Sequence, residues 1–211
     1  MGIVDARGDQ PPAEALKEAA EALRAGLAIA LPTDTVYGIG TRPDDALATT
    51  RIFEAKGRPR DLELPVLVPS TAAAREIAAF DERAEALSFR FWAGPLTIVL
   101  RRTAASRGWE LGGDPETIGV RMPHHPLALA VLSLAGPLAV TSANRSGEPT
   151  VETCAGLTDV FGEAVDVYLC ASEPLLGRPS TVVDLASGTW RVLRAGAVPD
   201  DELAEALRDV G

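Results

Sequence analysis

The chain is poor in the residues that most often announce a function. Of its 211 residues, two are cysteine, two histidine and two lysine. Cys154 and Cys170 have neither the close spacing of a zinc knuckle nor the density of a secreted disulfide scaffold, and they read as two buried thiols. His124 and His125 are chain neighbours between Pro123 and Pro126. Adjacent side chains seldom converge on one metal or substrate, so this pair reads as shaping the start of a helix. No G-x-x-x-x-G-K-[ST] loop, G-x-G-x-x-G, H-E-x-x-H or G-x-S-x-G occurs, so no protein nucleophile or metal cage is expected. The longest apolar stretch, LALAVLSLAGPLAV at 127–140, is broken by Gly136 and Pro137 and falls short of the roughly 20 residues a membrane helix needs. The first residues show no basic segment leading into an apolar one, and Ala6 stands where a myristoylation signal requires Ser or Thr. A cytoplasmic protein with no membrane partner is therefore expected.

Positive charge is also scarce, with a formal net charge of -10. Long-range repulsion opposes nonspecific attraction to nucleic acid or anionic membrane, so any anionic ligand must be met by a local pocket. Against this background the segment EAKGRPR, residues 54–60, gathers Lys56, Arg58 and Arg60. Their mutual repulsion needs an answer, either an anion or a set of neighbouring carboxylates. A bland answer exists for Lys56, because cations suit a helix C-terminus and Gly57 ends a helical pattern there.

Apolar periodicity and turn residues predict helices at 12–25, 44–55, 71–79, 82–92, 125–134, 152–161 and 200–209. Strands are predicted at 27–31, 64–68, 96–102, 117–122, 137–142, 165–169, 180–185 and 190–194. The segment PTDTVYGIG reads as an irregular turn because Pro32, Gly38 and Gly40 interrupt it. Helices alternate with strands early and strands cluster late, which indicates an α/β fold: one domain, a twisted mixed parallel and antiparallel sheet with flanking helices. The expected organisation is a tail at 1–11, a core domain at 12–198 and a closing helix at 199–211 packed on it.

Polar residues collect near the ends of the predicted strands. Thr33, Thr35 and Tyr37 follow the first, Arg121 closes TIGVRM, Ser142 and Asn144 follow PLAV, Ser180 opens STVVDL, and Arg194 closes WRVLR. Each has an ordinary reading as a turn former, surface ion pair or core ring. Together, beyond the strand ends of an α/β sheet, hydroxyls, an amide and guanidinium groups suit a polyanionic ligand such as a nucleoside triphosphate.

These residues fall in blocks with a known pattern. LPTDTVYGIG, KGRPR, FWAGPLTIVL, GVRMPHHPLALAVL, PLAVTSANRSGEPT and STVVDL with VLRAG resemble, in order, the blocks of the YrdC/Sua5 family of L-threonylcarbamoyladenylate synthases. The K-x-R and S-x-N signatures stand as Lys56-Gly57-Arg58 and Ser142-Ala143-Asn144, and the likeness is to the short single-domain form. The resemblance implies a fold built around a cationic cavity. It also implies an enzyme that joins L-threonine, bicarbonate and ATP into threonylcarbamoyl-AMP and pyrophosphate, the first step of N6-threonylcarbamoyladenosine formation in tRNA. Thr35, Tyr37, Arg121 and Ser180 would then bind threonine, and Lys56, Arg58, Ser142, Asn144 and Arg194 the nucleotide, with Lys56 and Arg58 as the catalytic cations. Mg2+ would be held mainly by the phosphates. A downstream threonylcarbamoyl transferase complex acting on tRNA would be the partner, with direct tRNA or RNA binding a further one, and residues 57–65 would serve as a lid. The chain departs from the family at Glu63, where many members have proline, and at Leu67, where they have a histidine linked to threonine binding. The alternative reading is a module that grips double-stranded RNA or tRNA without chemistry; aromatics at 5% of residues give it little to stack bases on.

Overall fold

The computed structural model describes residues 2–5, 12–170, 175, 177–208 and 210. Helices form where apolar spacing and caps coincide. Ala15, Ala19, Ala22 and Leu23 share the buried face of α1 (Ala13–Arg24). The Asp45 carboxylate accepts the amides of Leu47 and Ala48 to start α2 (Ala46–Lys56), and Gly57 closes that helix in the left-handed conformation at φ 60°. Ser70, Asp81 and Thr153 cap α3 (Thr71–Ile77), α4 (Glu82–Phe91) and α6 (Cys154–Phe161) with their side chains. Pro126 occupies the first turn of α5 (Pro126–Ala135) directly after His125, which is the helix-starting role read from the histidine pair. After α7 (Asp200–Ala206), Leu207 joins Leu203 in the main core.

Ten strands form one mixed sheet: β1 (Gly2–Asp5), β2 (Ile29–Leu31), β3 (Gly38–Thr41), β4 (Val66–Leu67), β5 (Leu96–Arg101), β6 (Thr117–Arg121), β7 (Leu138–Ser142), β8 (Val167–Cys170), β9 (Thr181–Asp184) and β10 (Arg191–Arg194). Their order is β1-β8-β2-β3-β7-β4-β6-β5-β9-β10. The period-two alternation of side chains sends neighbouring residues to opposite faces. Ile29, Leu31, Leu67, Leu138, Val140, Val167 and Leu169 pack under α1 and α5. Ala30, Val66, Ala139 and Tyr168 face the larger core that α2, α3, α4, α6 and α7 complete. Among the described residues, no helix is long and apolar enough to cross a membrane.

Three expectations change. Residues 2–5 of the expected tail are the edge strand β1, paired in parallel with β8 from Gly2 opposite Val167 to Asp5 opposite Cys170; residues 6–11 lie outside the described residues, as do 209 and 211 of the closing segment. Cys154 and Cys170 are not free thiols but a disulfide, with Cα atoms 5.6 Å apart, because the first residue of α6 packs on the last residue of β8. Gly38–Thr41 is no irregular turn but a central strand between β2 and β7. The glycines that disguised it are there for space: a Cβ on Gly40 would lie 2.6 Å from Val140 Cγ2 and 2.7 Å from the Ala139 carbonyl oxygen.

Gly40→Ala is accordingly expected to lower the unfolding free energy by about 1 to 3 kcal/mol in denaturant titration. Adding Val140→Ala should recover only part of that loss, because the carbonyl contact remains. Full recovery in the double variant would show that side-chain crowding alone excludes a residue with a Cβ.

Candidate active site

Strand ends converge on a cavity of about 100 Å3. The turn after β2 contributes Thr33, Thr35 and Tyr37, β6 contributes Arg121, β7 Ser142, β10 Arg194, and the segment ahead of β9 Pro179 and Ser180. Arg58, from the loop after α2, completes the cationic wall. Thr35, Tyr37, Arg58, Arg121, Ser142, Ser180 and Arg194, all picked from the sequence, line this one cavity. Lys56 and Asn144 do not.

The turn T-D-T-V is shaped by hydroxyls. Thr33 Oγ1 donates to the Val36 carbonyl at 2.6 Å and accepts the Thr35 and Val36 amides. Its hydroxyl also lies 3.0 Å from Thr35 Oγ1, which in turn accepts Arg121 Nη1 at 3.0 Å. The Arg121 guanidinium is buried and held on three sides: Nε donates to the Gly94 carbonyl at 3.0 Å and Nη2 to Asp34 Oδ1 at 2.5 Å. Three of its five donors are thus placed by the fold and two remain for a ligand. The sequence reading overlooked Asp34, whose flanking threonines were visible but whose partner Arg121 lies 87 residues away. Asp34 Oδ1 also accepts the His124 amide, so this carboxylate ties the β2–β3 turn to the start of α5.

On the opposite wall, Ser180 Oγ lies 2.9 Å from Thr97 Oγ1. Arg194 Nε and Nη2 donate to the Ser180 carbonyl at 3.1 and 2.9 Å, and Nη2 reaches the Ser180 hydroxyl at 3.0 Å. Thr97, another residue the sequence reading missed, lies inside an apolar strand run where only the register of β5 against β9 reveals it. Arg58 is held by its own loop, Nε to the Leu62 carbonyl at 3.2 Å and Nη2 to the Glu63 carbonyl at 2.9 Å. Burial pulls Arg58 and Arg121 below the ordinary arginine pKa, and both also feel the charge of Arg194; at Arg121 the Asp34 carboxylate opposes the fall.

Lys56 differs from the expectation. It is 2% exposed, and its ammonium donates to the Ser142 carbonyl at 2.5 Å, the Asn144 carbonyl at 2.7 Å and Asn144 Oδ1 at 3.0 Å. An ammonium has three donors, and all three are used. The Asn144 amide is equally occupied, its nitrogen donating to the Arg145 and Glu148 carbonyls and its oxygen accepting Ser142 Oγ at 2.6 Å. In this structure Lys56 and Asn144 are turned toward each other and build the wall that presents Ser142. Burial first, and the Arg58 charge second, push the Lys56 pKa down to about 7, while three facing oxygens favour its protonated form. Arg60, the third cation of the cluster, turns outward over the Phe53 ring at 4.9 Å and donates to Thr50 Oγ1.

Lys56 and Arg58 should therefore fail differently. Lys56→Met strands buried carbonyl oxygens and is expected to cost about 2 to 4 kcal/mol of unfolding free energy. Arg58→Met should leave stability within about 0.5 kcal/mol and lower affinity for a nucleoside triphosphate about 10- to 100-fold. Denaturation and calorimetric titration of both variants check the pair; equal stability loss in the two would contradict the assignment.

The stretch of chain that forms these walls falls within a recognised family. The Sua5/YciO/YrdC family model, described as telomere recombination, matches residues 21–196. A Mycobacterium leprae protein that provisionally bears the name threonylcarbamoyl-AMP synthase is 38% identical over 206 residues, covering 97% of this chain and 93% of its own. The threonylcarbamoyl-AMP synthase of Pyrococcus abyssi is 36% identical over 197 residues, 92% of this chain and 58% of the longer relative. Among solved structures, P. abyssi Sua5 complexed with L-threonine superposes with a TM-score of 0.89 at 34% identity, covering 98% of this chain and 61% of that one. With the family match spanning every strand end that lines the cavity, the chain belongs to the Sua5/YciO/YrdC family.

Proposed function

We propose that the chain is an L-threonylcarbamoyl-AMP synthase, a nucleotidyltransferase that makes threonylcarbamoyl-AMP and pyrophosphate from L-threonine, bicarbonate and ATP. The observation that carries this reading is the cavity itself, whose polar lining is hydroxyl and guanidinium groups with no carboxylate among the lining residues. Such a donor-rich lining suits two anions brought together, the carbamate of an amino acid and the α-phosphate of a nucleotide. Relatives carrying the synthase name and a neighbour solved with L-threonine support the same reading.

The chemistry divides between the walls. The amine of threonine takes up bicarbonate with loss of water to give a carbamate, and a carbamate oxygen then attacks the α-phosphorus as pyrophosphate leaves. No covalent enzyme intermediate is needed, in keeping with the missing nucleophile. On the Thr35 and Arg121 side, two unused guanidinium donors and the Thr35 hydroxyl would take the amino acid, with Ser180 opposite and Tyr37 and Leu67 as closer packing. Leu67, which lines the cavity, would supply an apolar contact for the threonine methyl. Arg58, Ser142 and Arg194 would face the phosphates, where clustered charge offsets the repulsion between the reacting anions. Holding the two in line could remove up to about 7 to 11 kcal/mol of barrier in the best case. A carboxylate-free lining leaves Mg2+ to the phosphate oxygens, where it would share their charge. The product would serve a downstream transferase acting on tRNA.

Pyrophosphate release from ATP, with mass analysis of the product, tests the reading: release should require both threonine and bicarbonate. Release indifferent to either omission would overturn it. Thr35→Val removes the acceptor of Arg121 Nη1 and should raise KM for threonine about 10-fold while KM for ATP stays within about twofold, which steady-state kinetics in both substrates would read.

A further inference from the structure

Glu63, one of the two positions at which the chain departs from the family pattern, is half-buried rather than displayed. Its side chain is 18% exposed, and Oε1 accepts the Gly119 amide at 3.3 Å. Arg102 Nη2 faces the same oxygen at 3.9 Å. The other Arg102 nitrogens are already committed, Nε to the Thr117 carbonyl at 2.6 Å and Nη1 to the Ser106 and Trp109 carbonyls. Glu63 leads the carboxylates, with Asp114, Glu110 and Glu116, whose charge answers a guanidinium whose side chain is only 2% exposed. Around this peg, the 60–64 segment lies on the turn 111–113: the Leu64 amide donates to the Leu111 carbonyl at 2.8 Å and the Gly113 amide to the Arg60 carbonyl at 2.9 Å. A Cβ on Gly113 would come within 2.8 Å of Glu63 Cβ, so the contact is close enough to demand glycine. On its other side the Glu63 backbone carbonyl receives Arg58 Nη2.

We infer that Glu63 is a positioning residue for nucleotide binding: its carboxylate, pegged between Arg102 and the Gly119 amide, fixes the 58–64 loop so that the Leu62 and Glu63 carbonyls aim Arg58 into the cavity. The inference rests on the synthase reading for the identity of the nucleotide. Glu63 is not a catalytic residue, since it does not line the cavity. The groups that face it are Arg102 and Arg58, which favour its charged form, and Asp114, which disfavours it; burial outweighs them and pushes its pKa up to about 7. The peg is thus charged above neutrality and lost as pH falls through about 7.

The test compares the wild-type protein with Glu63→Gln, which keeps an oxygen for the Gly119 amide and removes the charge that Arg102 faces. ATP affinity is measured by calorimetry, and KM for ATP and for threonine by pyrophosphate release, from about pH 8 down to about pH 6. At about pH 8 the variant should bind ATP about 10-fold more weakly than wild type, and at about pH 6 the two should agree within about twofold. The titrations of ATP and of Lys56 are common to both proteins and cancel in the ratio. KM for threonine should stay within about twofold throughout, a split that general loosening of the fold would not produce. A variant that binds ATP as wild type does at about pH 8, or a ratio that does not change with pH, overturns the inference. ATP binding that follows the expected crossing in a protein without threonine-dependent turnover supports the Glu63 role while overturning the synthase reading; absence of ATP binding at any pH overturns both.

Discussion

A buried ammonium sets the terms for the rest of the site. Removing a lysine from water costs several kcal/mol unless its donors find acceptors, and Lys56 finds three in one short stretch, the carbonyls of Ser142 and Asn144 and the Asn144 side chain. The same bonds join the last residue of α2 to the end of β7, two elements 86 and 88 residues apart in sequence. Once that joint is made, Gly57 must turn the chain, and its left-handed φ of 60° does so without strain. Arg58 is then delivered over the strand ends as a consequence of where Lys56 is anchored.

The cationic character of the cavity is correspondingly unequal. Arg121 is the deepest guanidinium, yet Asp34 at 2.5 Å compensates its charge, so it can act as a shaped donor without adding a full uncompensated charge. Arg194 bonds only to the Ser180 carbonyl and hydroxyl, which neutralise nothing, while Arg58 bonds to loop carbonyls and feels Asp61 and Glu63 without a direct ion pair. Phosphate charge is best met where compensation is missing, and an amino-acid carboxylate where geometry is tightest. A net charge of -10 over the whole chain then leaves the exterior to repel the nonspecific anions that the cavity must not hold.

How much of this was legible in the sequence follows from what each signal depends on. Helix starts were readable because caps are local: Asp45, Ser70, Asp81 and Thr153 sit where side-chain oxygens meet free amides. The strand β3 was not, because its glycines answer to the neighbouring β7, a partner about a hundred residues away that no local pattern reveals. Seven cavity residues could be picked out because hydroxyls and arginines at strand ends have few other uses in one place. Lys56 and Asn144 sit in equally conspicuous motifs but point at each other, and a motif names residues without giving their direction. The edge strand β1 and the Cys154–Cys170 bond depend in the same way on contacts between distant segments, with β8 as the shared partner.

The size of the cavity bears on how the proposed substrates would share it. At about 100 Å3 the cavity is small, so in the proposed synthesis its inner part would take the amino acid and the base and ribose of the nucleotide would lie over the mouth that Arg58 and Arg194 border. Threonine held at Thr35 and Arg121 would lie beneath the phosphates, so a nucleotide already in place would block its path. In the proposed synthesis the carbamate would form there as well, since a free carbamate returns to amine and CO2 unless it is captured. The two sides of the cavity are held differently: Arg121 is locked between strands and the β2–β3 turn, whereas Arg58 is aimed by the carbonyls of its own loop, itself fastened to the 111–113 turn.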